Sequence, residues 1–173
     1  MSKTLIAFFS RADENYFGGA LKYVEIGNTE VVVNQIKELI SADTFKIEMK
    51  HPYSASYKTC IQQAQKDLRD NTHPELVAFP NSIQDYDTII LAYPNYFGTI
   101  PMAIVTFLEK FDFSGKRLLP LCTNEGSGLG SSISDLKKYA PSAHIASGLS
   151  IHGSQAYTSK AQLKAWLHTN SLL

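Results

Sequence analysis

The stretch at residues 89–102 reads I-I-L-A-Y-P-N-Y-F-G-T-I-P-M and indicates the fold class of this 173-residue chain. Its first part, residues 89–93, is uncharged and apolar, which is typical of a strand buried on both faces of a parallel sheet. Pro94 has no amide hydrogen for a ladder, so the strand is expected to end there. Residues 95–98 then form a loop at the carboxyl end of the strand, where open α/β sheets bind ligands.

This loop carries two adjacent aromatic side chains, Tyr96 and Phe97, followed by Gly98. Two large rings in an exposed turn present much apolar surface to water, so we expect a flat group to cover them. The alternatives are that the rings plug the edge of the core or contact another subunit.

A second ligand-binding pattern lies near the amino terminus. The apolar run at residues 4–9 is followed by Ser10-Arg11, and Gly27-Asn28-Thr29 then opens the helical pattern V-V-V-N-Q-I-K-E-L-I. A strand, a loop with hydroxyls and glycine, and a helix amino terminus together suit a phosphate group. Neither G-x-x-x-x-G-K-[ST] nor G-x-G-x-x-G occurs here, which argues against a P-loop hydrolase and a dinucleotide site. A plain helix N-cap without a ligand is the alternative.

The whole chain alternates strand and helix. Apolar runs predict strands at residues 4–9, 44–49, 88–93, 117–123 and 144–151. Helical periodicity predicts helices at residues 29–41, 54–68, 100–110, 131–139 and 159–168. This alternation indicates a parallel sheet covered by helices on both faces.

Together these motifs resemble the flavodoxin family, and specifically the bacterial flavodoxin-like proteins that bind flavin mononucleotide (FMN). The phosphate loop of that family reads roughly S-R-T-G-N-T, which is similar to Ser10-Arg11 joined to Gly27-Asn28-Thr29. Its flavin loop reads P-N-W-W-G-T, matched here by residues 94–99. The block C-T-N-E-G-S-G-L-G at residues 122–130 is similar to the loop after the family's fourth strand. The chain departs from the family in segment 12–26, which splits the phosphate loop.

The resemblance implies one flavodoxin-like domain over residues 1–173, with a doubly wound five-stranded parallel sheet of order 2-1-3-4-5 in three α/β/α layers. It also implies FMN as a non-covalent cofactor. The residues implied as FMN-binding are Ser10, Arg11, Gly27, Asn28, Thr29, Pro94, Asn95, Tyr96, Phe97, Gly98, Thr123, Asn124, Glu125, Gly126 and Gly128.

Each of the three loops has its own expected role. Hydroxyls and the helix start in the first loop bind the phosphate, and Arg11 neutralises its charge. Tyr96 or Phe97 stacks on the flavin ring. Backbone amides of the glycine-rich third loop bind the pyrimidine edge of the ring. Glu125 has two open interpretations, since it either faces the flavin or points into solvent.

Bulk composition excludes several classes of protein. Lys and Arg (16) balance Asp and Glu (16), which gives no overall field for nucleic acid or an anionic membrane. No apolar run approaches the roughly 20 residues that span a bilayer, and the first residues lack the pattern of a secretory signal. We therefore expect a cytoplasmic protein. The two cysteines and five histidines show no metal-ligand spacing, so no metal site is expected.

The expected function is electron transfer through bound FMN, to a redox partner protein or a small-molecule acceptor, with the chemistry carried by the cofactor rather than by a catalytic side chain. The alternatives are an FMN-dependent NAD(P)H reductase of quinones, nitro or azo compounds, and a non-redox scaffold for another phosphorylated ligand. The lack of a separate nicotinamide domain favours the carrier, whereas the neutral surface favours the reductase. Segment 12–26 is expected to be a lid, a substrate-pocket wall or a homodimer contact, or else a mobile surface loop.

Overall fold

The computed structural model describes residues 3–173 and is built around a central parallel sheet. The strands are β1 (Thr4–Phe8), β2 (Asp13–Phe17), β3 (Ala20–Val24), β4 (Asp43–Lys46), β5 (Thr88–Pro94), β6 (Arg117–Asn124), β7 (His144–Ile145) and β8 (Leu149–His152). The helices are α1 (Asn28–Leu39), α2 (Tyr57–Asp70), α3 (Met102–Glu109), α4 (Ser132–Tyr139) and α5 (Lys160–Thr169), with a 3-10 helix at Gly153–Thr158.

The central sheet has the order β4-β1-β5-β6-β7, and β8 also pairs with β6. All of these pairings are parallel. This is the expected 2-1-3-4-5 order and the expected doubly wound fold. The predicted strand at residues 144–151 is divided into β7 and β8, and residues 146–148 between them leave the ladder.

Helices cover both faces of this sheet, and β5 shows how the core is divided between them. Ile89 and Leu91 belong to the cluster under α3, whereas Ile90 and Ala92 belong to the cluster under α1 and α5. All four side chains are fully buried. A buried Ile or Leu side chain contributes about 1.5–3 kcal/mol, so the uncharged run is what fixes the central strand between two helical layers.

Segment 12–26, for which no secondary structure was predicted, contains an antiparallel hairpin. Strand β2 pairs with β3 from Asp13 opposite Val24 to Phe17 opposite Ala20. The tip residues Gly18 and Gly19 have φ angles of 60° and 79°, the left-handed conformation that tight hairpin turns require and glycine readily adopts. The segment is therefore an ordered projection from the connection between β1 and α1.

The segment before α2 also differs from the sequence-based prediction. The helix begins at Tyr57 rather than at residue 54, because the carbonyl groups of Ser54 and Ala55 accept hydrogen bonds from the Arg11 guanidinium.

Within residues 3–173, no helix is long and apolar enough to cross a membrane. In the same described range, no three His, Cys, Asp or Glu side chains cluster as metal ligands would.

Candidate functional site

A cavity of about 380 Å³ opens at the carboxyl ends of β1, β5 and β6, within the range of about 300–1,000 Å³ that is usual for ligand sites. Strand β1 is followed by a helix on one face and β5 by a helix on the other, so this is the switch point of the sheet. The predicted site residues that line the cavity are Ser10, Arg11, Asn28, Thr29, Pro94, Asn95, Tyr96, Phe97, Gly98, Thr123, Asn124 and Glu125.

The first loop joins the end of β1 to the start of α1 across the base of the hairpin. Ser10 Oγ accepts a hydrogen bond from the Glu30 amide at 3.2 Å. Gly27 does not line the cavity. It lets the chain after the hairpin pass close to the chain before it, because a Cβ at this position would collide with the Arg11 carbonyl and lie 2.5 Å from Ser10 Oγ. The two halves of the split loop therefore meet. The first amides of α1, beginning at Asn28, have no intrahelical acceptor and favour an anionic group at this end.

The Arg11 side chain has a different environment from the one expected. Its guanidinium donates to the carbonyl oxygens of Glu14, Ser54 and Ala55, at 2.6 Å from Ser54 and 2.9 Å from Ala55. These bonds engage both terminal nitrogens, whereas Nε is buried without an acceptor. The expected neutralisation of a phosphate by Arg11 is not supported by this geometry. The guanidinium instead connects the hairpin to the segment before α2.

The aromatic loop presents two rings in different environments. Tyr96 is half-buried and packs edge-on against Phe9, with ring centroids 5.9 Å apart, and burial raises the pKa of its hydroxyl. Phe97 is 47% exposed and has a φ of 54°, next to Gly98 at 81°. The Gly98 amide is held by Asn95 Oδ1 at 2.8 Å. Phe97 is therefore the ring that is free to stack on a ligand, and Tyr96 forms a wall.

The third loop is folded around a side chain. Asn124 Oδ1 accepts hydrogen bonds from the amides of Gly126 and Gly128, both at 2.9 Å. Neither glycine lines the cavity, so the expectation that these two amides face the flavin is not supported. Their role is to fix the loop, in which Ser127 does line the cavity.

Glu125 lines the cavity, and its carboxylate is also held by two neighbouring segments. Its Oε2 accepts the Gly18 amide from the hairpin tip at 3.0 Å and lies 3.7 Å from His152 Nδ1. A Cβ at Gly153 would contact the Glu125 carboxylate and lie 2.7 Å from Asn28 Nδ2. The carboxylate therefore links the hairpin tip to the third loop beside the start of α1.

The hairpin forms one wall of the cavity through Asn15 and Tyr16. The Tyr16 ring lies 6.2 Å from the ring of Tyr57 at the start of α2. Glu14 Oε1 accepts the Tyr57 amide at 2.9 Å, which anchors β2 to that helix. Of the roles that the sequence left open for this segment, the geometry supports the pocket wall, since the hairpin is held at both its base and its tip.

Sequence reasoning missed Cys60, Ile61 and Ala64 as part of the site. Together with Tyr57, these residues line the cavity from one face of α2. Their spacing of three, four and seven residues is helical, and this periodicity is the signal that could have identified them. Burial raises the pKa of the Cys60 thiol above its usual range, so it stays protonated at neutral pH.

A family model described as Flavodoxin matches residues 20–170. The chain belongs to the flavodoxin family. This confirms the resemblance to that family. Comparison of the chain with curated proteins finds no match.

Solved structures of flavodoxin-like proteins share the fold of this chain. A proposed flavoprotein from Bacteroides eggerthii DSM 20697 is 23% identical, with a TM-score of 0.80 over 100% of both chains. A flavoprotein from Lactobacillus acidophilus NCFM, solved in complex with FMN, is 16% identical, with a TM-score of 0.66 over 93% of this chain and 99% of that one. A Fusobacterium nucleatum flavodoxin bound to FMN is 14% identical, with a TM-score of 0.55 over 98% and 97%.

Proposed function

We propose that this protein binds FMN non-covalently in the 380 Å³ cavity and transfers electrons through it. The observation that carries the proposal is that one cavity at the sheet's switch point joins a helix amino terminus to an exposed aromatic loop. The flavodoxin family and the FMN present in two solved neighbours support the same cofactor.

The polar end of the cavity fits the phosphate and the ribityl chain. Ser10, Asn28, Thr29 and Thr123 supply neutral hydrogen-bonding groups, and Gly27 leaves the loop free of a side chain at its closest crossing. The start of α1 adds the positive end of its dipole. Neutral donors and a helix terminus are sufficient for a phosphate, so this end does not depend on a lysine or arginine.

The other end of the cavity fits a flat ring. Phe97 is exposed at the rim, and Tyr16, Tyr57 and Tyr96 form aromatic walls around it. Offset stacking of such rings contributes about 0.5–1.5 kcal/mol beyond the buried area. Bound FMN supplies one- and two-electron chemistry, while the chain binds the ring, orients it and limits the access of water.

Fluorescence titration tests this proposal. Adding FMN to the apoprotein should quench flavin fluorescence as the ring stacks on Phe97, and the Phe97→Ala variant should quench less. Tyr157→Ala is the matched control, because Tyr157 is 73% exposed and does not line the cavity. FAD should bind more weakly, since a phosphate enclosed by Ser10, Asn28 and Thr29 leaves no exit for an adenylate group. Unchanged fluorescence at saturating wild-type protein would show that FMN is not the ligand.

A second candidate function, reduction of a small molecule by NAD(P)H, is favoured by the walls that the hairpin and α2 add to the cavity. A carrier for protein partners needs an accessible ring edge, whereas a walled pocket suits a small acceptor such as a quinone, nitro or azo compound. Anaerobic addition of NADPH separates the two. Rapid bleaching of the flavin followed by reoxidation with a quinone supports the reductase. Bleaching only by dithionite supports a carrier that receives electrons from a redox partner protein.

A further inference from the structure

We propose that Arg11 acts on the flavin ring rather than on the phosphate, and that its fixed positive charge favours the reduced cofactor. This inference rests on the proposed FMN site. It assigns a specific role to a residue that the sequence placed in the phosphate loop.

The first support is the way the guanidinium is held. Its terminal nitrogens donate to the carbonyl oxygens of Glu14, Ser54 and Ala55, which belong to β2 and to the segment before α2. Among residues 3–173, Arg11 takes part in no ion pair. A guanidinium held by neutral carbonyl groups keeps its full charge in one fixed position.

The second support is where this charge acts. Arg11 lines the cavity together with Tyr57, Cys60 and Tyr96, which form the end bounded by α2. Burial raises the pKa of each of these three groups, and the Arg11 charge opposes that rise in all three. The field of the guanidinium is therefore directed at the aromatic end, where a flat ring fits.

The third support is an unsatisfied donor. Arg11 Nε is buried and has no hydrogen-bond partner among the described residues. A buried donor without an acceptor costs about 1–3 kcal/mol, so an acceptor atom that reached Nε would be favoured. The carbonyl groups and ring nitrogens of a flavin are acceptors of this kind, and they lie on the ring.

The two charged side chains of the cavity wall lie at opposite ends of the hairpin. Of the described residues that line it, Arg11 is the only Lys or Arg, and Glu125 is the only Asp or Glu. Glu125 is held at the hairpin tip by the Gly18 amide, whereas Arg11 is held at the hairpin base. Reduction places negative charge on the flavin ring, so a fixed cation beside it stabilises the reduced form more than the oxidised form and raises the midpoint potential.

The experiment compares Arg11→Gln and Arg11→Lys with the wild type, using the affinity of the apoprotein for FMN and for riboflavin and the midpoint potential of bound FMN. We expect Arg11→Gln to weaken FMN and riboflavin by the same factor, because the residue does not touch the phosphate. We also expect Arg11→Gln to weaken the binding of reduced FMN about tenfold more than that of oxidised FMN. This difference lowers the two-electron midpoint potential of bound FMN by about 30 mV. Arg11→Lys should retain most of the potential.

Glu14→Ala controls for a structural effect, because it also loosens the hairpin from α2 but removes a negative charge. A structural role for Arg11 would lower the potential in both variants, whereas the charge role predicts no decrease for Glu14→Ala. Loss of FMN affinity with riboflavin affinity unchanged would overturn the inference and return Arg11 to the phosphate. An unchanged potential in Arg11→Gln would overturn it as well. Failure of the wild type to bind FMN would instead refute the proposed function.

Discussion

The Thr29 hydroxyl lies 2.7 Å from the Thr123 hydroxyl, which joins the first loop of the site to the end of β6. Both residues are buried, at 2% and 4% exposure, and both line the cavity. Because one hydroxyl donates to the other, the pair retains one hydrogen that can be donated to a ligand. Two segments far apart in the sequence are thereby held at a common binding surface.

This pair predicts coupled effects on stability. Thr29→Val leaves the Thr123 hydroxyl buried without its partner, so the free energy of unfolding should fall by about 1–3 kcal/mol. The double variant Thr29→Val/Thr123→Val leaves no buried hydroxyl without a partner. Its loss in free energy of unfolding should therefore be smaller than the sum of the two single losses, by about 0.5–3 kcal/mol. Urea unfolding of the four apoproteins measures this difference. Strictly additive losses would show that the two hydroxyls do not interact.

Gly27→Ala should abolish FMN binding while leaving the sheet intact. Its Cβ would collide with the Arg11 carbonyl and lie 2.5 Å from Ser10 Oγ, which forces the two halves of the loop apart. Gly148→Ala is the matched control, because its Cβ would meet only the flexible ends of Leu129 and Ile133 at 3.1–3.3 Å. Circular dichroism checks the fold, and flavin fluorescence measures binding. Equal FMN affinity in the two variants would contradict the proposed crossing.

Replacing residues 12–26 with one threonine should preserve FMN binding. The ends of this segment meet where Gly27 crosses Ser10 and Arg11, so the shortened loop can close. We expect FMN affinity to stay within about tenfold, or ~1.4 kcal/mol, because the phosphate donors lie outside the hairpin. The reduced flavin should react faster with dioxygen, since the Asn15 and Tyr16 wall is lost. A folded variant that loses FMN would make the hairpin part of the phosphate site, and unchanged oxygen reactivity would argue against a shielding wall.

Alkaline pH should destabilise the protein through Cys122, which is fully buried. Burial raises the pKa of its thiol from 9.0 to about 12. The unfolded thiol loses its proton near pH 9.0 while the folded thiol keeps it, so stability falls as the pH rises from 9.0 towards 12, by at most about 1.4 kcal/mol per pH unit. The Cys122→Ala variant should show a shallower decline in urea midpoints above pH ~9. Parallel declines would show that this thiol does not contribute.

The fold and most of the site were predictable because their signals are local. The uncharged run before Pro94 predicts a strand buried on both faces, and the loops after β1, β5 and β6 follow directly from such strands. Parallel order then brings the carboxyl ends of these strands together. This is why residues chosen from three separate motifs line one cavity.

The contacts inside the site could not be predicted, because they depend on tertiary structure. Nothing in the local pattern shows that the Asn124 side chain accepts hydrogen bonds from the amides of Gly126 and Gly128. Nor does it show that the Arg11 guanidinium donates to carbonyl groups of the hairpin and of the segment before α2. The hairpin was missed for a similar reason. None of its strand residues is fully buried and neither strand alternates between buried and exposed residues, so only the Gly18-Gly19 pair marks the turn.

The central claim is that one cavity holds FMN through all three loops, and chemical-shift mapping on the isotopically labelled apoprotein tests it most directly. Addition of one equivalent of FMN should shift the backbone amides of Asn28, Phe97 and Ser127 together, while those of Asp70 and Ser114, on surfaces away from the cavity, stay unchanged. Riboflavin should reproduce the shift at Phe97 but not that at Asn28. Shifts confined to other surfaces, or none at saturating FMN, would contradict the account.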